Sequence, residues 1–121
     1  MKKLRQSCAG VFALLLLVGW ARPAGAHGIL VESTPKSGET VALGVSQVDL
    51  RFNCRIERAL ARLPLTGLSG ERMPLAVTRS ETRGPAWLTA PLPTLLPGLY
   101  TVHWKVFTVD GHLSHGSFSF Q

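Results

Sequence analysis

Residues 100–106 read YTVHWKV, and their alternation of apolar and polar side chains decides the fold class. Spacing of period two is typical of a β-strand that buries one of its two faces. The same alternation occurs in residues 48–52 (VDLRF) and 117–121 (SFSFQ). We therefore predict three well-defined strands whose apolar side chains share one core.

Turn-forming residues separate these strands from weaker ones. Glycine, proline and Asp-Gly combinations recur at short intervals, at residues 35–38, 67–70, 84–85, 91–93, 97–98 and 110–111. We predict weaker strands at residues 28–32, 60–66, 72–78 and 86–91, with a helical turn within residues 56–62 as the alternative there. About seven short strands at this spacing predict an all-β sandwich or small barrel.

The first 26 residues have the features of a cleaved secretory signal peptide. A basic start (MKKLR) precedes an apolar run at residues 9–20, and Ala-Gly-Ala at residues 24–26 is a suitable cleavage site. We therefore divide the chain into a signal peptide, 1–26, and one β-domain, 27–121. Four of the thirteen basic residues leave with the signal peptide, so the net charge falls from +6 to +2. We expect an exported monomer with no nucleic-acid partner and no membrane insertion after cleavage.

Cleavage after residue 26 would expose His27 as the first residue of the mature chain. An N-terminal histidine offers a metal both its α-amine and its imidazole. A second pair of candidate ligands, Asp110 and His112, flanks Gly111 at the junction of two predicted strands. Three nitrogens and one oxygen suit Cu(II) by ligand type and by its place in the affinity order. The alternative is that Asp-Gly forms an ordinary hairpin turn and that the histidine is there by chance.

Cys54 and His115 are candidate additional or supporting ligands. Cys54 is the single cysteine after cleavage, and its thiol could ligate or reduce copper, pack as a small apolar group, or form a disulfide-linked dimer. His115 follows His112 by three residues, a spacing that changes face in an extended strand and directs the two rings apart. The default for His103 is a solvated side chain on the polar face of its strand.

Four blocks of the sequence resemble the CopC-like periplasmic copper-resistance proteins. They are HGILVESTP (27–35), PGLYTVHW (97–104), DGH (110–112) and GSFSF (116–120), and the resemblance covers essentially the whole mature chain. It implies a seven-stranded Greek-key β-barrel of immunoglobulin-like topology. It also implies one Cu(II) per chain, held by His27, Asp110 and His112. The sequence departs from the family in two ways. The family usually has glutamate at the position of Cys54. Some members also have a methionine-rich Cu(I) site, which we do not expect here because Met73 is the single methionine after cleavage.

The function expected from these observations is copper handling in the periplasm. The protein would sequester Cu(II) or deliver it to an inner-membrane copper transporter, and we do not expect it to be an enzyme. Two alternatives remain open at this point. One is a copper oxidase or monooxygenase that uses the same amine-plus-imidazole chelate, and the other is a metal-free immunoglobulin-like interaction module.

Overall fold

Two antiparallel β-sheets make up the computed structural model, which describes residues 28–78 and 83–121. The seven strands of these residues are β1 (Leu30–Thr34), β2 (Gln47–Phe52), β3 (Leu63–Thr66), β4 (Arg72–Leu75), β5 (Trp87–Pro91), β6 (Tyr100–Phe107) and β7 (Leu113–Phe120). The predicted signal peptide and His27 lie outside the described residues. The helical element of the described chain is one turn of 3₁₀ helix at Arg58–Leu60, and no helix there is long and apolar enough to cross a bilayer.

The strand order confirms the predicted all-β sandwich of immunoglobulin-like topology. One sheet has the order β1-β2-β5 and the other β4-β3-β6-β7. The pairs β2-β5 and β3-β6 join strands that are not consecutive in the chain, because the chain crosses between the sheets as in a Greek key. The last hairpin, β6-β7, has the longest continuous register, from Tyr100 opposite Phe120 to Phe107 opposite Leu113.

The core lies between the two sheets and includes the buried residues of the three stretches with apolar alternation. Val48 and Leu50 of the first sheet and Val102 and Val106 of the second are fully buried. Burial of a side chain of this size contributes roughly 1.5–3 kcal/mol to folding. The remaining buried apolar residues of the described chain are Phe52, Ile56, Ala61, Leu63, Leu65, Leu88, Ala90, Tyr100, Phe118 and Phe120.

Strand β7 begins four residues earlier than the apolar alternation indicates. Its first half has no large inward side chain, and a Cβ placed on Gly116 would lie 2.5 Å from Cζ2 of Trp104. The indole of Trp104 thus occupies the space that a side chain at position 116 would fill. The same indole meets the ring of Phe52 edge to face, with centroids 5.2 Å apart. Trp104 on β6 therefore supplies the buried apolar side chain that the first half of β7 lacks.

Other strand boundaries also differ from the prediction, and β4 ends at Leu75, three residues before its predicted end. Strand β1 starts at Leu30 and has an irregularity between Leu30 and Glu32, so its regular pairing with β2 begins later than expected. Strand β3 is shorter than predicted because Arg58–Leu60 form the helical turn that the sequence left as an alternative. Met73 is partly buried and packs against the core.

Candidate metal centre

The loop between β6 and β7 is a tight hairpin turn, as Asp110-Gly111 predicted. The amide of Gly111 donates to the carbonyl of Thr108 at 2.9 Å, and the amide of Thr108 donates to the carbonyl of His112 at 2.9 Å. Gly111 has a φ of +90°, which glycine adopts without the steric cost that a Cβ brings. The turn consequently presents the side chains on either side of Gly111 at the end of the sandwich.

Asp110 and His112 come together across this turn. The Nδ1 atom of His112 lies 3.1 Å from Oδ1 of Asp110, and both side chains are about half exposed. The hydroxyl of Thr108 donates to the same carboxylate oxygen and accepts a hydrogen bond from the amide of His112 at 3.1 Å. The hydrogen bond from Thr108 is the main reason that the pKa of Asp110 is lowered, followed by the hydrogen bond from His112. The turn therefore holds an ionised carboxylate beside an imidazole.

The segment that precedes β1 packs against this hairpin. The hydroxyl of Ser114 donates to the carbonyl of Gly28. A Cβ on Gly28 would lie 3.2 Å from Cγ2 of Thr108 and 3.6 Å from Cβ of Ser114, so glycine permits this close approach. Asn53 holds the next residue, Ile29, by two hydrogen bonds. The backbone amide of Ile29 donates to Oδ1 of Asn53 at 2.9 Å, and the backbone amide of Asn53 donates to the carbonyl of Ile29 at 3.0 Å. The first described residue is consequently buried against the strands that carry the Asp110–His112 pair.

Cys54 lies near the pair but is half buried and packs against the core. Burial and the negative charge of Asp110 raise the pKa of its thiol, which favours the protonated form. The thiolate is the form that binds metals, so this environment agrees with the alternative in which Cys54 acts as a small apolar group. Within the described residues, no three His, Cys, Asp or Glu side chains are grouped so that they could hold a metal ion.

His103 and His115 lie on the outer face of the second sheet. His115 is exposed on β7, opposite Lys105 of β6, and does not join the Asp110–His112 pair in a three-residue cluster. His103 differs from its expected solvated state: Thr66 Oγ1 lies 2.8 Å from its Nε2, and Arg72 lies 3.5 Å from its Nδ1. Partial burial, together with the charge of Arg72, lowers the pKa of His103.

Sequence reasoning missed Thr108 and Ser114, the two hydroxyl residues that hold the site together. Thr108 could have been found, because threonine two residues before an acceptor in a turn often makes a local hydrogen bond. Ser114 carries no such signal, since its partner Gly28 is 86 positions away in the chain. Its contribution depends on the packing of the segment before β1 onto the last hairpin.

This arrangement offers a metal one carboxylate oxygen and one imidazole nitrogen, both accessible to solvent. Oxygen and nitrogen donors suit divalent metals such as Cu(II), Zn(II) and Ni(II). Two side chains make an incomplete coordination shell, so further ligands have to come from outside Asp110 and His112. The sequence candidate for that role, His27, precedes Gly28 and lies outside the described residues.

Comparisons with known proteins extend over both sheets and the hairpin. A family model described as the CopC domain matches residues 30–121. Protein YobA of Escherichia coli strain K12 is 29% identical over 96 residues, which cover 78% of this chain and 77% of that protein. Copper resistance protein C of Xanthomonas campestris pv. juglandis is 32% identical over 101 residues, which cover 78% and 79%. The crystal structure of CopC from Methylosinus trichosporium OB3b aligns with a TM-score of 0.72 at 28% identity, covering 78% of this chain and 91% of that one.

Proposed function

The chain belongs to the CopC family, and from this premise we propose that it binds one Cu(II) ion in the periplasm. The proposed ligands are the α-amine and imidazole of His27, a carboxylate oxygen of Asp110 and the imidazole of His112. The protein would hold the ion in store or pass it to an inner-membrane copper transporter. The predicted signal peptide, residues 1–26, would direct export, and its cleavage after residue 26 would expose the α-amine of His27.

The observation that carries this proposal is the attachment of Gly28 to the hairpin. Ser114 binds the carbonyl of Gly28, and Thr108 both contacts Gly28 and binds the carboxylate of Asp110. Consecutive Cα atoms are about 3.8 Å apart, so the anchoring of Gly28 limits how far His27 can be from the pair. An ordinary hairpin turn would not require this buried contact with the start of the mature chain.

The donor set favours Cu(II) over the other divalent ions. Three nitrogens and one oxygen match the tetragonal preference of Cu(II), which also stands highest in the affinity order of the first-row divalent metals. The half-exposed side chains of Asp110 and His112 leave room for an incoming ligand to attack the metal. Release by ligand exchange is what a storage or delivery protein needs.

The decisive experiment is a Cu(II) titration followed by electron paramagnetic resonance. Protein with a verified His27 N-terminus is compared with the same protein acetylated on the α-amine of His27, which removes that nitrogen as a donor and leaves the sequence unchanged. We expect a one-to-one, nitrogen-rich tetragonal signal from the first protein and its loss in the second. Asp110→Asn and His112→Gln should also weaken it, whereas His103→Gln, on the outer face of the sheet, should not.

Equal and weak binding by both N-terminal forms would contradict the proposal. The Asp-Gly-His segment would then be only a turn, and the protein would be better described as an interaction module. Formation of peroxide with ascorbate, stimulated by an added polysaccharide, would instead favour the copper monooxygenase. No contact among the described residues specifically favours either of these alternatives.

A further inference from the structure

A row of basic side chains crosses the outer face of the second sheet. Arg62 lies opposite Lys105 in a β-bridge, and Lys105 lies opposite His115 in the β6-β7 register. The three residues, which we call the basic row, therefore sit side by side on three neighbouring chain segments. Neighbouring strands are about 4.8 Å apart, so the row is about 10 Å long. All three residues are exposed.

The two permanent cations of the row have no carboxylate partner among the described residues. The ion pairs there are Arg51 with Glu32, Arg83 with Asp49, and His112 with Asp110. Like charges placed directly opposite each other on a sheet are destabilising. Arg62 is nevertheless fixed beside Lys105, because its Nη1 donates to the carbonyls of Ala59 and Ala61.

The surroundings of the basic row add to its positive potential on one side and limit it on the other. Arg72 and His103 extend the basic surface away from the hairpin turn. Toward the turn, the amide of Glu57 donates to the carbonyl of Phe107, so one exposed carboxylate flanks the row. An approaching anion would be attracted to the row and repelled beyond it, which would fix its position.

The basic row and the candidate metal centre share the same hairpin. Lys105 precedes Thr108 by three residues on β6, and His115 follows His112 by three residues on β7. Three residues of strand span about 10 Å. A partner bound to the row could therefore bring its own ligands within reach of Asp110 and His112 without covering them.

We propose that the basic row docks an acidic segment of a protein that exchanges copper with the candidate metal centre. The inference rests on the proposed function for the copper, but the docking itself requires only charge complementarity. Arg62 and Lys105 supply fixed positive charge over a short distance, which suits two or three carboxylates of a peptide segment. A bilayer would need a larger cluster of cations, since each one near the surface adds only a small attraction.

Two synthetic peptides test the docking. Both have a Gly-Gly-His head that binds Cu(II), and their tails alternate serine with glutamate in one and with glutamine in the other. Copper-free affinity is measured first, by isothermal titration calorimetry at low salt. Transfer of Cu(II) from the loaded protein to each peptide is then followed by stopped-flow fluorescence. The copper-free step separates failure of the docking proposal from failure of the proposed function.

We expect the glutamate peptide to bind more tightly and to receive copper at least about tenfold faster than the glutamine peptide, with the advantage lost at high salt. Lys105→Glu should abolish this preference, and Lys105→Gln, which adds no new charge, should reduce it. Lys36→Glu is the matched control: it makes the same change of net charge at an exposed residue close to the far end of β7. It should retain most of the preference.

Equal effects of Lys105→Glu and Lys36→Glu would overturn the proposal, because net charge alone would then explain the preference. Equal binding of the two peptides by the unmodified protein would overturn it as well. Phosphatidylglycerol vesicles provide the remaining arm. Binding to such vesicles that depends on Lys105, without binding to the glutamate peptide, would assign the row to a membrane surface and refute the protein-docking assignment.

Discussion

Replacement of Ser114 by alanine tests whether the segment before β1 is preorganised for copper binding. The change removes the hydroxyl that donates to the carbonyl of Gly28 and leaves the hairpin turn itself intact. Ile29 remains tied to Asn53 by two hydrogen bonds. The segment released by the substitution therefore ends at Gly28, and β1 should keep its place.

The magnitude follows from the contacts that are lost. Loss of one hydrogen bond, with a buried carbonyl left unsatisfied, should lower the free energy of unfolding by about 1–3 kcal/mol. Fixing the backbone of one released residue on copper binding costs about 1–2 kcal/mol. Since 1.4 kcal/mol corresponds to a factor of ten, the Kd for Cu(II) should rise about 5- to 30-fold.

The assay is competition for Cu(II) against a chromophoric chelator, with urea unfolding measured on the same preparations. Ser117→Ala is the matched control, because Ser117 is an exposed serine on the same strand, opposite His103. We expect this control to change neither the Kd nor the free energy of unfolding appreciably. A Ser114→Ala protein that loses stability but binds Cu(II) within twofold of the unmodified protein would refute the preorganisation argument.

Two further predictions concern the folded domain. The pKa of His103 is lowered in the fold, so the unfolded chain takes up a proton first as the pH falls through about 6.5, and acidification reduces stability. His103→Gln should therefore reduce the decrease in the urea midpoint between pH 7.5 and pH 5.5. An unchanged decrease in this variant would contradict the prediction. Leu65 is fully buried, so Leu65→Ala should lower the free energy of unfolding by about 2–5 kcal/mol. Leu96 is exposed, so Leu96→Ala should change it by less than about 0.5 kcal/mol. Similar urea midpoints for the two variants would be incompatible with the described core.

The strands with apolar alternation were predictable because their buried positions carry large apolar residues. Val48, Leu50 and Phe52 on β2, and Tyr100, Val102 and Val106 on β6, are buried as the pattern requires. The first half of β7 escaped prediction because Trp104 from the neighbouring strand fills the place over Gly116. A local sequence pattern shows which of a strand's own side chains are buried. It does not show where the core beside a strand is filled by a side chain from another strand.

The candidate metal centre was predictable to a similar degree. Asp110 and His112 stand beside a turn-forming glycine, and the structure brings their side chains within 3.1 Å of each other. The roles of His27, Asp110 and His112 as metal ligands remain predictions, as does the cleavage that would expose the amine of His27. Ser114 could not have been identified, since its partner, Gly28, is 86 positions away in the chain. The partly buried state of His103 also depends on a contact between strands, with Thr66.

The contact between Ser114 and Gly28 has a consequence for the order of events during biogenesis. It joins residues 86 positions apart, so it forms only when the last hairpin has docked on a segment that was synthesised long before. Contacts of such long range complete late, because the loop that they close is nearly the whole domain. Copper loading would then require a finished fold, and a chain still in transit across the membrane would hold the ion poorly. Metal content would consequently report on how much of an exported population has matured.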